Sequence, residues 1–284
     1  MKTLQAPQQK STVTALAWDP TGQFIAGVCE DGMTIVWKVG SGQVIFCRRM
    51  ARSRLFTVTW SENGCLALGG ENHALTIVQV RDGAIVLSHL FEAPVKKIAF
   101  APRGGRFLVA AGSTVYLYSE QRRVPLQLVH PSSLLDVCWS PTGGRFAGVC
   151  QHGDVFVYNV LRRRYAYTLN EVSEPRSVAW NTNGRDLAIG TAQGTIHIHH
   201  GSRGCQYTTY ALSFHPIMHL AWGHPCLAAV DACSEVTLWD LLPREQSIEL
   251  AQRSCTTQHA FAFSPDGEHI ATGMQQSVCV AAAG

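Results

Sequence analysis

Seven copies of one short motif, spaced almost evenly along the chain, leave few folds open to it. Each copy ends in an aromatic residue (Trp18, Trp60, Phe100, Trp139, Trp180, Trp222 and Phe263), and successive aromatics lie 42, 40, 39, 41, 42 and 41 residues apart. The residue before each aromatic is small: Ala17, Thr59, Ala99, Cys138, Ala179, Ala221 and Ala262. The one before that is apolar: Leu16, Val58, Ile98, Val137, Val178, Leu220 and Phe261. A unit of about 40–45 residues carrying four strands is the size of one propeller blade.

The interior of the unit supports that size. In the first copy VTALAW (13–18), QFIAGVC (23–29), MTIVWK (33–38) and QVIFCR (43–48) are short apolar, β-branched runs, separated by DPTG, EDG and VGSG. Such runs between Gly/Pro/Asp turns read as an antiparallel meander. The turn after the aromatic recurs as SENG (61–64), APRGG (101–105), SPTGG (140–144), NTNG (181–184) and SPDG (264–267). The pattern predicts an all-β fold: a seven-bladed β-propeller of four-stranded antiparallel blades, a single domain over residues 1–284. The seventh unit supplies only three strands, within 259–263, 268–273 and 277–281. KTLQA (2–6) is expected to add the fourth, which closes the ring and removes an open edge.

The apolar–small–aromatic–SPDG pattern, followed by a small-residue strand and a strand ending near Trp-Asp, resembles the WD-repeat family over almost the whole chain. EVTLWD (235–240) carries the signature dipeptide, with Trp37-Lys38 and Tyr158-Asn159 as relatives. No unit has the Gly-His pair expected before its first strand. The resemblance therefore implies the fold and a binding role, without most of the family's buried Asp–His–Ser/Thr–Trp network.

Composition narrows the function. Charged residues make up 15% of the chain, against the usual quarter or so, which fits strands buried on both faces between blades. A net charge of +3 is too small to argue for nucleic acid by itself. Ten cysteines include no C-x-x-C pair, and Cys29, Cys138, Cys150 and Cys279 sit in apolar strand patterns. They are expected to be free thiols, with no disulfide and no structural metal, in a reducing intracellular compartment, cytoplasmic or nuclear. The start, MKTLQAPQQK, has no apolar core, and no run approaches the length of a membrane span. P-loop, G-x-S-x-G, H-E-x-x-H and dinucleotide-binding motifs are missing, so neither enzymatic activity nor a cofactor is expected.

The candidate binding residues are those of the loops. His197 and His199 share one face of a strand, as a metal edge would require, but TIHIH reads as an ordinary third strand. Arg162, Arg163 and Arg164, like Arg122 and Arg123, open outer strands, where charge guards against edge-to-edge pairing. Arg52 and Arg54 instead precede an inner strand, on the face where propellers bind. Alongside them, the loops before inner strands offer Lys96, His130, Glu174, Arg176 and His259. The second turns offer Glu30, Glu71, Gln151, His152, Gln193 and Asp231. The expected function is a non-catalytic protein–protein interaction scaffold, monomeric within a larger assembly of other proteins. FCRRMARSRLF (46–56) also resembles the Phe-Arg-Arg-Gly loop of phosphoinositide-binding propellers, with Met50 in place of the glycine. That resemblance implies an alternative: an anionic lipid or nucleic acid held by Arg48, Arg49, Arg52 and Arg54.

Overall fold

The computed structural model describes residues 2–6, 11–119, 124–211, 213–223, 226–233, 236–240, 248–253, 260–273 and 277–282. Its twenty-eight strands form seven separate four-stranded antiparallel sheets, the blades of a propeller. Six blades are simple meanders. Their inner strands are Val13–Trp18, Leu55–Trp60, Val95–Phe100, Leu134–Trp139, Pro175–Trp180 and Ile217–Trp222, and each chain segment then steps outward. The second strand of each of these blades is almost entirely buried, as in Phe24–Cys29, Cys65–Gly70 and Phe107–Ala111. Both its faces are covered by neighbouring blades, so alternation gives way to a continuous apolar run.

The seventh blade closes the ring as expected. Its strands are ordered Ala260–Phe263, His269–Gly273, Ser277–Ala282 and, outermost, Lys2–Gln5. Lys2 lies opposite Val280, Leu4 opposite Val278 and Gln5 opposite Ser277. Leu4 is buried in the apolar cluster that joins the last blade to the first, with Ala6, Val13, Leu16, Ile35, Ala271 and Val278. The Lys2 ammonium donates to the carbonyls of Val39 and Gly40, both at 2.5 Å, which ties the closing strand to the first blade as well.

The repeat motif holds the blades to one another. Inner strands of adjacent blades belong to different sheets and share no backbone ladder. Instead, the indole N–H of Trp18 donates to the carbonyl of Ala262 at 3.0 Å, Trp60 to Ala17 at 3.1 Å, Trp139 to Ala99 at 2.9 Å and Trp222 to Ala179 at 3.0 Å. Each acceptor is the small residue that precedes the aromatic of the previous unit. A bulky side chain there would keep the indole from the carbonyl, so the small–aromatic pairing is one device seen from two blades. Trp180 makes no such bond, and Phe100 and Phe263 have no N–H to give.

A second tryptophan shows what the weakened family signature costs. Trp37, on the third strand of the first blade, is fully buried, yet its indole N–H has no partner among the described residues. Gly27 on the neighbouring strand lies against the ring edge, where a side chain would be too close to both Trp37 and Leu16.

Candidate functional site

One face of the ring is assembled from two kinds of segment: the loops before inner strands and the turns between second and third strands. Backbone bonds lock them together. Glu30 N donates to Thr12 O at 3.1 Å, Glu71 N to Arg54 O at 2.9 Å, Gln151 N to Ser133 O at 2.8 Å, Ala192 N to Glu174 O at 2.9 Å and Ala232 N to Pro216 O at 2.8 Å. The turn Glu30–Asp31–Gly32 is the best defined. Met50 N and Ala51 N both donate to Gly32 O, at 2.9 and 3.3 Å. Gly32 has φ 81°, and a side chain there would run into the Ala51 carbonyl. Only glycine permits this left-handed turn to pack beneath the loop that carries Arg52 and Arg54.

That packing gathers a charged and aromatic group. Arg54 Nη2 lies 3.6 Å from Glu30 Oε1. The Arg54 guanidinium is 5.8 Å from the centre of the Phe56 ring, and Lys96 Nζ, from the next blade, is 4.4 Å from the same centre. Two cations thus share one aromatic face system, an arrangement that attracts carboxylates and other electron-rich groups while the ring supplies apolar contact. The Arg54–Glu30 pair is half exposed and adds little to stability, so its effect is to aim the guanidinium. Arg52 is exposed beside it.

The other basic residues of the segment are engaged elsewhere. Arg48 Nη1 donates to Gly83 O at 3.1 Å, bridging to the second blade's outer turn. Arg49 Nη2 pairs with Asp31 at 3.3 Å. Three of the four arginines expected to form an anionic-surface cluster therefore have local acceptors.

The remaining candidates are dispersed. Exposed Glu174 and Arg176 and the exposed Gln193 gather at the fifth blade, where Gln193 Nε2 donates to Ser173 Oγ at 3.2 Å. Gln151 and His152 are exposed, and His152 N donates to Ser132 Oγ at 3.2 Å. Half-buried His130 stacks on Phe156 with ring centres 4.0 Å apart, and burial holds its pKa below the usual histidine range. Asp231 departs from the expectation of an exposed loop residue. It is buried, and its carboxylate accepts from Ser213 Oγ at 2.6 Å and Cys233 N at 2.9 Å, so it braces its own turn. His259, Arg122 and Arg123 lie outside the described residues.

A second polar constellation gathers on the inner strands around the ring axis. The third residue of successive inner strands is Thr57, Lys97, Asp136, Ser177 and His219. Thr57 Oγ1 accepts from Ile98 N at 3.2 Å, and Asp136 Oδ2 from Val178 N at 3.1 Å, each reaching the next blade. Lys97 Nζ lies 3.5 Å from Asp136 Oδ1. His219, on the sixth blade, is within electrostatic reach of both charges, which come from the third and fourth blades. It keeps accessible surface yet is enclosed by protein, as a residue on a channel wall is. Desolvation first, then Lys97, pushes its pKa down to about 4, with Asp136 opposing. Sequence reasoning passed over Phe56, Lys97, Asp136 and His219. The available signal was a polar residue at the third place of five successive inner strands.

Metal-ligating side chains cluster weakly. Asp266, Glu268 and His269 bring their ligand atoms within 4.8 Å of one another on an exposed turn. Asp266 is already committed there, accepting from Ser264 Oγ and from Glu268 N at 3.0 Å. His197 hydrogen-bonds within its sheet, and His199 Nδ1 lies 3.0 Å from Gly204 O. No helix among the described residues is long and apolar enough to cross a membrane.

The comparisons agree with this architecture. The family model of the anaphase-promoting complex subunit 4 WD40 domain matches residues 2–63 and 137–225, more than half of the chain. The chain belongs to the WD40-repeat family. Among curated proteins, the WD40 chain is 23% identical to the intraflagellar transport protein 80 homolog of Mus musculus over 172 residues, 56% of this chain and 21% of that protein. It is 20% identical to meiotic fizzy-related protein 1 of Schizosaccharomyces pombe over 289 aligned residues, 96% of this chain and 67% of that one. The chain thus spans about a fifth of the intraflagellar transport relative. Its structure resembles the crystal structure of the Myceliophteria thermophila Cps50 (Swd1) β-propeller domain with a TM-score of 0.83 at 15% identity, covering 99% and 98% of the two chains. At that identity the likeness is one of fold alone.

Proposed function

We propose that this WD40 chain is a non-catalytic platform for protein–protein contact, one subunit, monomeric itself, of a larger intracellular assembly. The observation that carries the reading is the Glu30–Arg54–Phe56–Lys96 group, held on the face where inter-blade loops and second turns are bonded together. The mechanism is geometric. A stiff ring keeps these side chains in place before a partner arrives, so little ordering entropy is lost on binding. The matched family model is named for a complex subunit, and free cysteines across the described blades suit a reducing compartment such as cytoplasm or nucleus. The alternative, an anionic lipid or nucleic acid, is disfavoured because Arg48, Arg49 and Arg54 already meet Gly83 O, Asp31 and Glu30.

The test is affinity purification from native extract with identification of the retained proteins, repeated with two charge-reversed variants. Arg52→Glu with Arg54→Glu places acid opposite Glu30 and against Phe56, and should lower partner retention at least tenfold. Arg162→Glu with Arg163→Glu, on an exposed outer turn, should not. Equal retention by both variants refutes the rim site. Salt-sensitive binding of the wild type to anionic vesicles or nucleic acid, with no protein retained, favours the alternative.

A further inference from the structure

The outer wall of the second blade carries a feature that the rim reading does not use. Its outermost strand, Ile85–Leu90, is exposed along its whole length. Ile85, Val86, Leu87 and Leu90 are four of the eleven exposed large apolar side chains among the described residues, with Val86 62% and Leu90 74% exposed. The concentration of four in one six-residue strand marks a strip rather than scattered surface.

The strip is also uncharged, unlike four of the six other outer strands. Residues 83–91, GAIVLSHLF, contain no Asp, Glu, Lys or Arg. Four of the corresponding outer strands carry charge: Val44–Arg49 with Arg48 and Arg49, Arg164–Leu169, Ile248–Arg253, and Lys2–Gln5 with Lys2. Gln206–Ala211 is uncharged but polar, with two threonines and a glutamine, and Leu126–Val129 is uncharged but shorter, with only Gln127 and Val129 exposed. Natural sheets protect edges with charge, and the second blade omits that protection.

The strand's own geometry selects the occupant. One edge is paired to Ala74–Gln79, with Ala74 opposite Leu90 and Ile77 opposite Leu87. The other edge leaves alternate N–H and C=O groups without a ladder partner, which an added strand would satisfy. Apolar side chains stand on both faces: a bulge at Val86 leaves Ile85 and Leu90 on one, opposite Val78 and Ala74, and Leu87 on the other, opposite Ile77. A strip one strand wide and about 20 Å long falls well short of the roughly 800 Å² per partner of a stable globular pair. A second folded copy therefore does not fit the requirement, whereas a single extended segment does.

We infer that the edge strand Ile85–Leu90 is a β-augmentation site for an extended, uncharged segment of a partner polypeptide with apolar residues on both faces. This surface is separate from the rim. The Arg52→Glu/Arg54→Glu variant should take the same peptides as the wild type, so either reading can fail alone.

The experiment uses a random peptide library displayed on phage, selected on the full chain. Enriched peptides should be extended and apolar, and as synthetic peptides they should slow amide hydrogen exchange across residues 85–90. They should bind Val86→Lys with Leu90→Lys at least tenfold more weakly. Both positions are exposed, so the variant is expected to fold, and the exchange measurement on wild-type protein decides the matter if it does not. Lack of enrichment, full binding by the lysine variant, or protection elsewhere overturns the assignment. Concentration-dependent dimers abolished by the same substitutions would give the edge to a second copy and overturn it too.

Discussion

Replacing two tryptophans by phenylalanine separates the ring's bonding from its packing. Trp60 and Trp37 are both buried apolar rings, and Trp→Phe trims each by the same atoms. The void left behind costs about 1–2 kcal/mol in either case. The indole N–H differs. In Trp60 it donates to Ala17 O at 3.1 Å and links the second blade to the first, so its loss removes a bond and leaves a half-buried carbonyl without that donor, a further ~1–2 kcal/mol. In Trp37 it is buried without a partner among the described residues, so its removal relieves about 1–3 kcal/mol of desolvation that the folded state now bears. Trp60→Phe should therefore destabilise by about 2–4 kcal/mol, and Trp37→Phe by close to nothing. Thermal unfolding followed by circular dichroism and calorimetry reads the difference. At about 2–4 °C per kcal/mol for a domain somewhat smaller than this one, the two melting temperatures should differ by about 5 °C or more. A Trp37→Phe protein that melts at or below Trp60→Phe would refute both the inter-blade role of the repeat tryptophan and the orphaned state of Trp37.

Two further outcomes follow from the closure and the axis. Deleting residues 1–8 removes the outermost strand of the seventh blade together with buried Leu4 and Ala6; a few hundred Å² of apolar burial at about 25 cal/mol per Å² is several kcal/mol, a large part of a domain's stability. An unchanged melting temperature would show that the strand does not close the ring. At the axis, NMR titration should find the His219 ring neutral near pH 6, and Lys97→Met should raise its pKa by removing a positive neighbour. Because the folded pKa lies below the unfolded one, the unfolded state takes up the extra proton, so His219 contributes stability above about pH 6.5 that is lost as pH falls towards about 4. A normal histidine titration in the native protein would place His219 away from the two charges.

The repeat pattern alone sets the number of blades, their strand order and the closure by Lys2–Gln5. Those properties follow from a period of about forty residues, from turns at fixed offsets and from a last unit one strand short, all of them local patterns. It also located the rim, because the loop before an inner strand and the following second turn recur in every unit. What the rim residues touch was settled only by folding. Arg54 and Lys96 are forty-two residues apart in the chain and meet over Phe56 because adjacent blades bring equivalent positions together. Asp231 looked like its counterparts in the other second turns, yet Ser213, eighteen residues earlier, draws its carboxylate inward. Lys97, Asp136 and His219 come from three different blades, and the field of each charge on the others depends on the ring's diameter, which no local pattern encodes. The period of a repeat fixes which residues are equivalent. Closure of the ring fixes which equivalent residues become neighbours, and pairwise electrostatics and hydrogen bonding act only between neighbours in space.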